Sequence, residues 1–439
     1  MTKHTFPKEA LLYLPLLLIY IIIVLVFSSD ILMGDESRHF NYALNLTNGY
    51  YVEAENPNFR NGPGYPLVLA PFIAVGCSLL TLKFLNIAFV AMAVFYFKKT
   101  IDLFAEGKFA LIAVYMIGLY PPVLRWLPFL YSEPMAYFLM CGLIFYVCQI
   151  YRQKVIRLKQ LCTASIFLGL LILTKIIYLQ VIMVSALCLI LLLLWKKNRT
   201  PIRALLILAG SFLILLPYLV YAYTITGKLF YVGSGGGEIL YHRSTPYPNE
   251  WGNWFSKEDV LFGGDTDYTP TTPYKNLNEL SKNHKEFYLT LEPLSYIERD
   301  SVFKAAAIAN MKAHPKKYLK NTVASLSRLV FHFPFSYRNQ SLNAYGYMIP
   351  NVLILFLWVL SIYPFLRNRK KSCFEINALL LFSLIYTGGI VLLDGRGRNF
   401  ITVVPALVLF FTFVYSNFLN IKLTALRENS TKQSLSDLH

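Results

Sequence analysis

Long uncharged stretches alternate with short polar ones along almost the whole chain, and this alternation sets the expected elements. Apolar runs cover residues 10–28, 65–79, 82–97, 109–124, 133–151, 160–174, 176–195, 203–223, 347–366, 374–393 and 398–418. Most approach the ~20 residues that a helix needs to cross a bilayer's hydrocarbon core. None alternates apolar with polar residues as a barrel strand does, so the runs predict helices. Between 224 and 344 the pattern changes to a long polar segment that opens on the glycine turn "GSGGGE". It closes on two amphipathic patterns. In the second, "HPKKYLKNTVASLSRLV", Pro315 is a first-turn residue and Leu319, Val323, Leu326 and Val330 share one face. That helix is expected against the outer membrane surface or the span bundle.

Composition agrees with a polytopic membrane protein. Of 439 residues, 56% are hydrophobic and 15% charged, whereas a soluble domain carries roughly a quarter charged residues. The net charge of +17 is not a nucleic-acid footprint, and no nucleic-acid partner is expected. Basic residues cluster in short loops: Lys98–Lys99; Arg152, Lys154, Arg157 and Lys159; Lys196, Lys197 and Arg199; Arg367, Arg369, Lys370 and Lys371. Such clusters belong on the cytoplasmic side.

Placing them there fixes the threading. With the N-terminus inside, residues 10–28 run outward as a retained span, since no small-residue cleavage site follows. If both 65–79 and 82–97 crossed, Lys98–Lys99 would land outside. The short, proline-led 65–79 is therefore expected to lie along or dip into the outer leaflet. About ten spans result, with both termini cytoplasmic. They divide into a transmembrane module 1–223 with a first outer loop 29–81, an extracytoplasmic segment 224–344, C-terminal spans 345–420 and a tail 421–439. Cys77, Cys141, Cys148, Cys162 and Cys188 lie in apolar runs without metal-ligand spacing and read as packing residues.

On this threading the unusual polar residues collect on the outer face. Asp35, Glu36, Arg38 and His39 stand in "MGDESRHFNYA", and Arg60 in "NFRNGPGYP" with Tyr65 in the same stretch. Glu133 stands in "YSEP", Lys175 in "LTKIIY", and Arg396 and Arg398 in "DGRGRNF". Singly, each has a plain structural explanation. Glu133 suits a helix N-terminus, Lys175 can snorkel, and the arginines can touch headgroups. Together they fit one chemistry. Arginine and lysine hold a phosphate anchored in the outer leaflet, and a carboxylate takes the proton of an attacking acceptor. A lipid-linked-sugar transporter or flippase is the alternative, and a non-catalytic scaffold a third. Transporters place such residues near the midplane, on repeats; here they stand at one face and no repeat is visible.

The motifs, in this order, resemble the GT-C superfamily of integral membrane glycosyltransferases. The likeness is to bacterial relatives of the dolichyl-phosphate-mannose protein mannosyltransferases (family 39) and of the aminoarabinose lipid A transferase. It runs from about residue 10 to 420, through "GDESRHFNYALNLTNGYY", "FRNGPGYPLVLAPF", "LYPPVLRWLPFLYSEPMAYFLM", "LGLLILTKIIYLQVIMV" and "DGRGRNFITVVPALVLF". It implies an all-α, GT-C-like bundle of about ten transmembrane spans with extracytoplasmic juxtamembrane helices. It also implies inverting transfer of a sugar from a polyprenyl-phosphate donor to a cell-envelope glycan, lipid or protein, at the outer face of a bacterial inner membrane. Residue by residue, the catalytic base falls on Asp35 or Glu36, with Asp35 preferred, and Glu133 supports the site. Arg60, Lys175, Arg396 and Arg398 face the donor phosphate, and Arg38, His39 and Tyr65 are candidate acceptor or sugar contacts. Neither a metal nor a cofactor is expected. Where the aminoarabinose branch has Lys-Pro-Pro, this chain reads "NGPGYP", and it lacks a sizeable C-terminal soluble domain. Neither that branch's specificity nor that of eukaryotic protein mannosylation is therefore assigned.

Overall fold

A computed structural model describes residues 6–196, 199–265, 267–269, 275–338 and 342–419; the expected tail 421–439 lies outside them. Among the described residues the regular elements are all helices. Six are long and apolar enough to cross a membrane: Leu79–Ile101, Glu133–Arg152, Tyr178–Trp195, Ile202–Thr226, Asn343–Arg367 and Phe374–Leu393. Leu12–Phe27, Lys108–Leu124, Leu158–Thr174 and Val404–Phe418 are shorter apolar helices and match the other four expected spans. Lys108–Leu124 is broken, because the helix ends at Gly118 and resumes at Pro121. Proline lacks the N–H and disfavours a helical residue before it. Gly64–Ala74 has 11 residues, about 16 Å of helix, which is too short to cross.

Burial separates the central from the peripheral helices. Val404–Phe418 is buried at every position from Val404 to Val414, as expected of a helix that is apolar all round. Asn343–Arg367 instead turns Ile349, Val352, Leu353 and Phe356 outward. The two ends of the bundle differ in kind. At one, Arg203 donates to the Ile150 carbonyl at 2.7 Å, Arg152 lies over Phe104 at 4.2 Å, and Asn417 donates to the Phe104 carbonyl at 3.2 Å. At the other stand Asp35, Glu133, Lys175 and Arg398, beneath the segment that follows Thr226.

That segment is more structured than its polar sequence suggests. It forms helices Gly236–Arg243, Lys257–Phe262, Leu277–Thr290, Tyr296–Ala313 and Pro315–Phe331. The first four share a second apolar core of Tyr241, Phe255, Leu280, Tyr288, Phe303 and Ala307. Ser295 and Glu298 make a capping box at the start of Tyr296–Ala313. This cap packs on the bundle through Gly236–Arg243 and Pro315–Phe331.

The last cap helix forms where its periodicity places it, but its apolar face does not meet the bundle. Leu319, Val323 and Leu326 are exposed, and only Val330 of the stripe is buried. The buried side carries Asn321, Ser325 and Arg328. Asn321 donates to the carbonyls of Arg243 and Thr245, both at 3.0 Å, and Arg328 to those of Trp251 and Pro334, both at 2.9 Å. These carbonyls lie outside the helical hydrogen-bond ladders and need donors. That need turns the polar side inward and leaves the apolar stripe exposed.

Candidate active site at the capped end of the bundle

Helix Asp35–Thr47 follows the first span almost at once and opens with two acids. Successive residues on a helix point about 100° apart, and here that step separates two roles. The Asp35 carboxylate accepts from Arg398 at 2.7 Å and from Arg38, one turn on. Arg38 also donates to Asn61 at 3.0 Å, tying the helix to the "NGPGYP" loop. Glu36 is wholly buried on the other side. It accepts from the backbone N–H of Leu130 at 2.8 Å and of Met33 at 3.1 Å, with Lys83 at 3.9 Å. Glu36 therefore pins two loops together, while Asp35 faces the polar cluster.

The cluster continues through shared charges. Arg398 Nε lies 3.6 Å from Glu133 Oε1, which accepts from Lys175 Nζ at 2.7 Å. Asp35, Arg398, Glu133 and Lys175 thus form one chain of alternating sign, drawn from four separate parts of the sequence. Glycines bring those parts close. A Cβ on Gly62 would lie 2.0 Å from the Leu173 carbonyl, so only glycine lets that loop sit on the helix end beside Lys175. A Cβ on Gly395 would meet the Ser325 carbonyl at 2.1 Å, which seats "DGRGR" against the last cap helix.

The electrostatics follow from burial and these partners. Burial lowers Lys175, although Glu133 opposes it. Burial also works against the charge on Arg398, but Glu133 and its other partners outweigh it and hold the group above its ordinary value. Arg38 is pushed down to about 10, first by burial and then by Arg60. Within this charged cluster Glu133 Oε2 and Arg398 Nε are buried without a hydrogen-bond partner. Buried polar atoms are normally paired, so these mark a place suited to a further polar group.

The other expected residues fall in two places. Arg60 pairs with Glu238 at 2.6 Å and Arg396 with Asp394. Both guanidiniums stand near the Trp254 ring, at 5.6 and 5.9 Å from its centre. His39 and Tyr65 do not join the charged chain. They pack edge to face at 5.2 Å in the interior, where Tyr65 donates to Asn86 at 3.1 Å. Burial pushes His39 down to about 3, so its ring is neutral.

Several members of the site were not picked out from sequence. Glu238 was only the end of a glycine turn; Asp300 fixes that turn by accepting from the N–H groups of Gly235 at 2.8 Å and Gly237 at 2.7 Å. Trp126 and Tyr131 stack at 4.6 Å, with Arg398 at 6.0 and 5.5 Å from their ring centres, and Tyr131 Oη accepts from the Asp35 N–H at 3.3 Å. A charged or aromatic residue beside every quoted motif was the available signal. Among the described residues no group of three or more His, Cys, Asp or Glu is placed to hold a metal ion.

No protein-family model matches the chain, and no curated protein matches it in sequence. Solved structures do match in fold. The oligosaccharyltransferase of Archaeoglobus fulgidus in its apo form aligns with a TM-score of 0.54 at 14% identity, covering 94% of this chain and 51% of that one. The same archaeon's oligosaccharyltransferase AglB, in complex with an inhibitory peptide and a dolichol-phosphate, aligns with a TM-score of 0.52 at 14% identity, with the same coverage. ArnT from Cupriavidus metallidurans also aligns, more loosely, with a TM-score of 0.41 at 11% identity, covering 93% of this chain and 76% of that one. The chain spans about half the length of the oligosaccharyltransferase. The expected all-α fold is the fold found, and the chain shares it with the oligosaccharyltransferase structures.

Proposed function

We propose that this chain is an inverting glycosyltransferase that moves a sugar from a polyprenyl-phosphate donor to a cell-envelope glycan, lipid or protein. The observation that carries this reading is the shared Arg398, which joins a forward-facing acid, Asp35, to the buried Glu133–Lys175 pair beneath a folded cap. The fold supports it, since AglB, with which the chain aligns, has been seen with a dolichol-phosphate. The site is taken to face the outer side of a bacterial inner membrane, because the basic loops lie at the opposite end of the bundle. The prenyl tail stays in the bilayer and its phosphate meets Arg398, Lys175, Arg60 and Arg396.

In the transfer, an acceptor hydroxyl or amine forms a bond to the donor sugar's C1, and the C1–O bond to phosphate breaks on the opposite face. The bonding pair leaves with the phosphate oxygen, and the acceptor's proton passes to Asp35. The two arginines on Asp35 link binding to this step. A phosphate competes with the carboxylate for Arg38 and Arg398, and so frees Asp35 to meet the acceptor as the donor arrives.

The test is a transfer assay with purified protein, radiolabelled polyprenyl-phosphate sugars and cell-envelope fractions. Asp35→Asn is expected to lower transfer by about 10²–10⁴-fold, the usual share of a general base. Equal transfer by the variant and the wild type removes Asp35 from that role.

A further inference from the structure

One arginine at the site has no acidic partner. Arg125 follows the short helix Pro121–Leu124 and is exposed; among the described residues it makes no ion pair. Aromatic rings hold it instead, with its guanidinium carbon 5.4 Å from the Trp126 ring centre and 5.7 Å from that of Tyr347. It is nonetheless part of the same place. Arg398 lies 6.0 Å from the same Trp126 ring, and a Cβ on its neighbour Gly397 would stand 3.0 Å from the Tyr347 ring. Two guanidiniums therefore share one indole, and only Arg398 is neutralised by carboxylates. A cation left without a carboxylate beside this cluster suits an added anion. The remaining neighbour, His332, stacks on Tyr347 at 4.5 Å and has a buried Nδ1 without a hydrogen-bond partner.

A charge count says which anion suits the arrangement. The ion pairs set five cations (Arg38, Arg60, Lys175, Arg396 and Arg398) against four carboxylates (Asp35, Glu133, Glu238 and Asp394). Arg125 adds a sixth cation and raises the surplus from one to two. A polyprenyl-phosphate sugar is a phosphodiester with one negative charge. Once the C1–O bond breaks, the phosphate is a monoester carrying about −1.5 to −2. The charge that appears is on the departing oxygen, and a fixed cation aimed there favours the transition state over the bound donor.

We propose that Arg125 is the leaving-group cation of this site, receiving the second negative charge that develops on the polyprenyl phosphate as the sugar departs. This rests on the lipid-phosphate reading above and sharpens it, because it predicts discrimination between two charge states of one headgroup.

The experiment measures direct binding to the full chain in nanodiscs at pH 7.5, with undecaprenyl monophosphate and its monomethyl phosphodiester as probes. The wild type is expected to prefer the monophosphate by roughly tenfold, the scale of one charge-assisted hydrogen bond. Arg125→Gln is expected to keep its diester affinity and lose the preference, and Arg125→Lys to restore most of it. Lowering the pH to 5.5, where most of the monophosphate carries a single charge, should shrink the preference in the wild type to about threefold and change nothing in Arg125→Gln. A preference kept by Arg125→Gln overturns the inference. So does an equal loss of both lipids, which makes Arg125 structural. A wild type that binds neither probe overturns the lipid-phosphate reading, and this inference with it.

Discussion

Glu133 in the bundle and Glu250 in the cap are both buried carboxylates, and their surroundings differ in one respect. Glu250 is saturated. It accepts from His284 at 3.0 Å, Asn283 at 2.9 Å, Tyr337 at 3.1 Å and Thr245, and both of its oxygens take part. Glu133 has cations on one oxygen, and the other is buried with no hydrogen-bond partner. A complete network makes a rigid core, whereas an incomplete one carries a cost that binding of another group can relieve. We therefore propose a stabilising role for the cap acid and a functional one for the bundle acid, although each is almost inaccessible.

Removing each acid breaks the comparison most directly. Glu250→Ala takes the shared carboxylate from His284, Asn283, Tyr337 and Thr245 inside the cap, and is expected to destabilise it by about 3–5 kcal/mol. Unfolding followed by chemical denaturation and by proteolysis within 224–344 should show this. Glu133→Gln keeps the shape and removes a charge that holds Arg398 and Lys175. It is expected to reduce transfer by about 10²-fold, with a much smaller change in unfolding midpoint. If Glu133→Gln unfolds as readily as Glu250→Ala and transfers normally when folded, the assignments are reversed.

Acid should strain both regions on the same ground, through histidines buried in the neutral form. His242 in the cap is pushed down to about 3, by burial first and by His284 next, and Tyr288 donates to its Nε2 at 2.8 Å. Its folded pKa lies below the unfolded value of about 6.5, so the unfolded chain binds the proton first. Stability is complete above about pH 6.5 and falls as the pH drops toward 3, by up to about 1.4 kcal/mol per unit for each such histidine. His39 and His332, pushed to about 3 and about 4 mainly by burial, behave alike. Unfolding midpoints between pH 7.5 and 4.5 should slope accordingly. His242→Gln is expected to reduce that slope without removing it, and an unchanged slope excludes His242 from the acid response.

Legibility followed the length scale of each cause. The spans were readable because a bilayer demands runs of apolar residues, and sign alternation of the basic loops then put Asp35, Glu133, Lys175 and Arg398 at one end. Pairings were not readable, because Arg60–Glu238 and Arg398–Asp35 join residues 178 and 363 positions apart with nothing local to announce them. Nor was the divergence of Asp35 and Glu36, which depends on one 100° step around a helix and on where the Leu130 N–H happens to stand. The cap core was hidden for a third reason. Its aromatics are spread among polar residues over short helices, without a run or a long period to give them away.

The smallest expected effect concerns the direction of the last cap helix. Its periodicity was readable, but the side that would be buried depended on carbonyls elsewhere in the cap. Asn321 and Arg328 reach those carbonyls, so Leu319, Val323 and Leu326 are left outside. The other end of this helix is tied deep in the bundle. The Val330 carbonyl accepts from Asn351 at 2.5 Å, and Asn351 stands in the third turn of Asn343–Arg367. A helix anchored below the start of a span, with an apolar face outward and Lys316 and Lys320 near its N-terminus, fits an interfacial position in the outer leaflet. Val323→Ser should then change stability by less than about 0.5 kcal/mol in detergent, as at a surface position. A spin label on Val323→Cys in a bilayer should meet lipid-soluble oxygen more readily than a water-soluble nickel chelate. The opposite order places the stripe in water and makes the cap stand clear of the membrane.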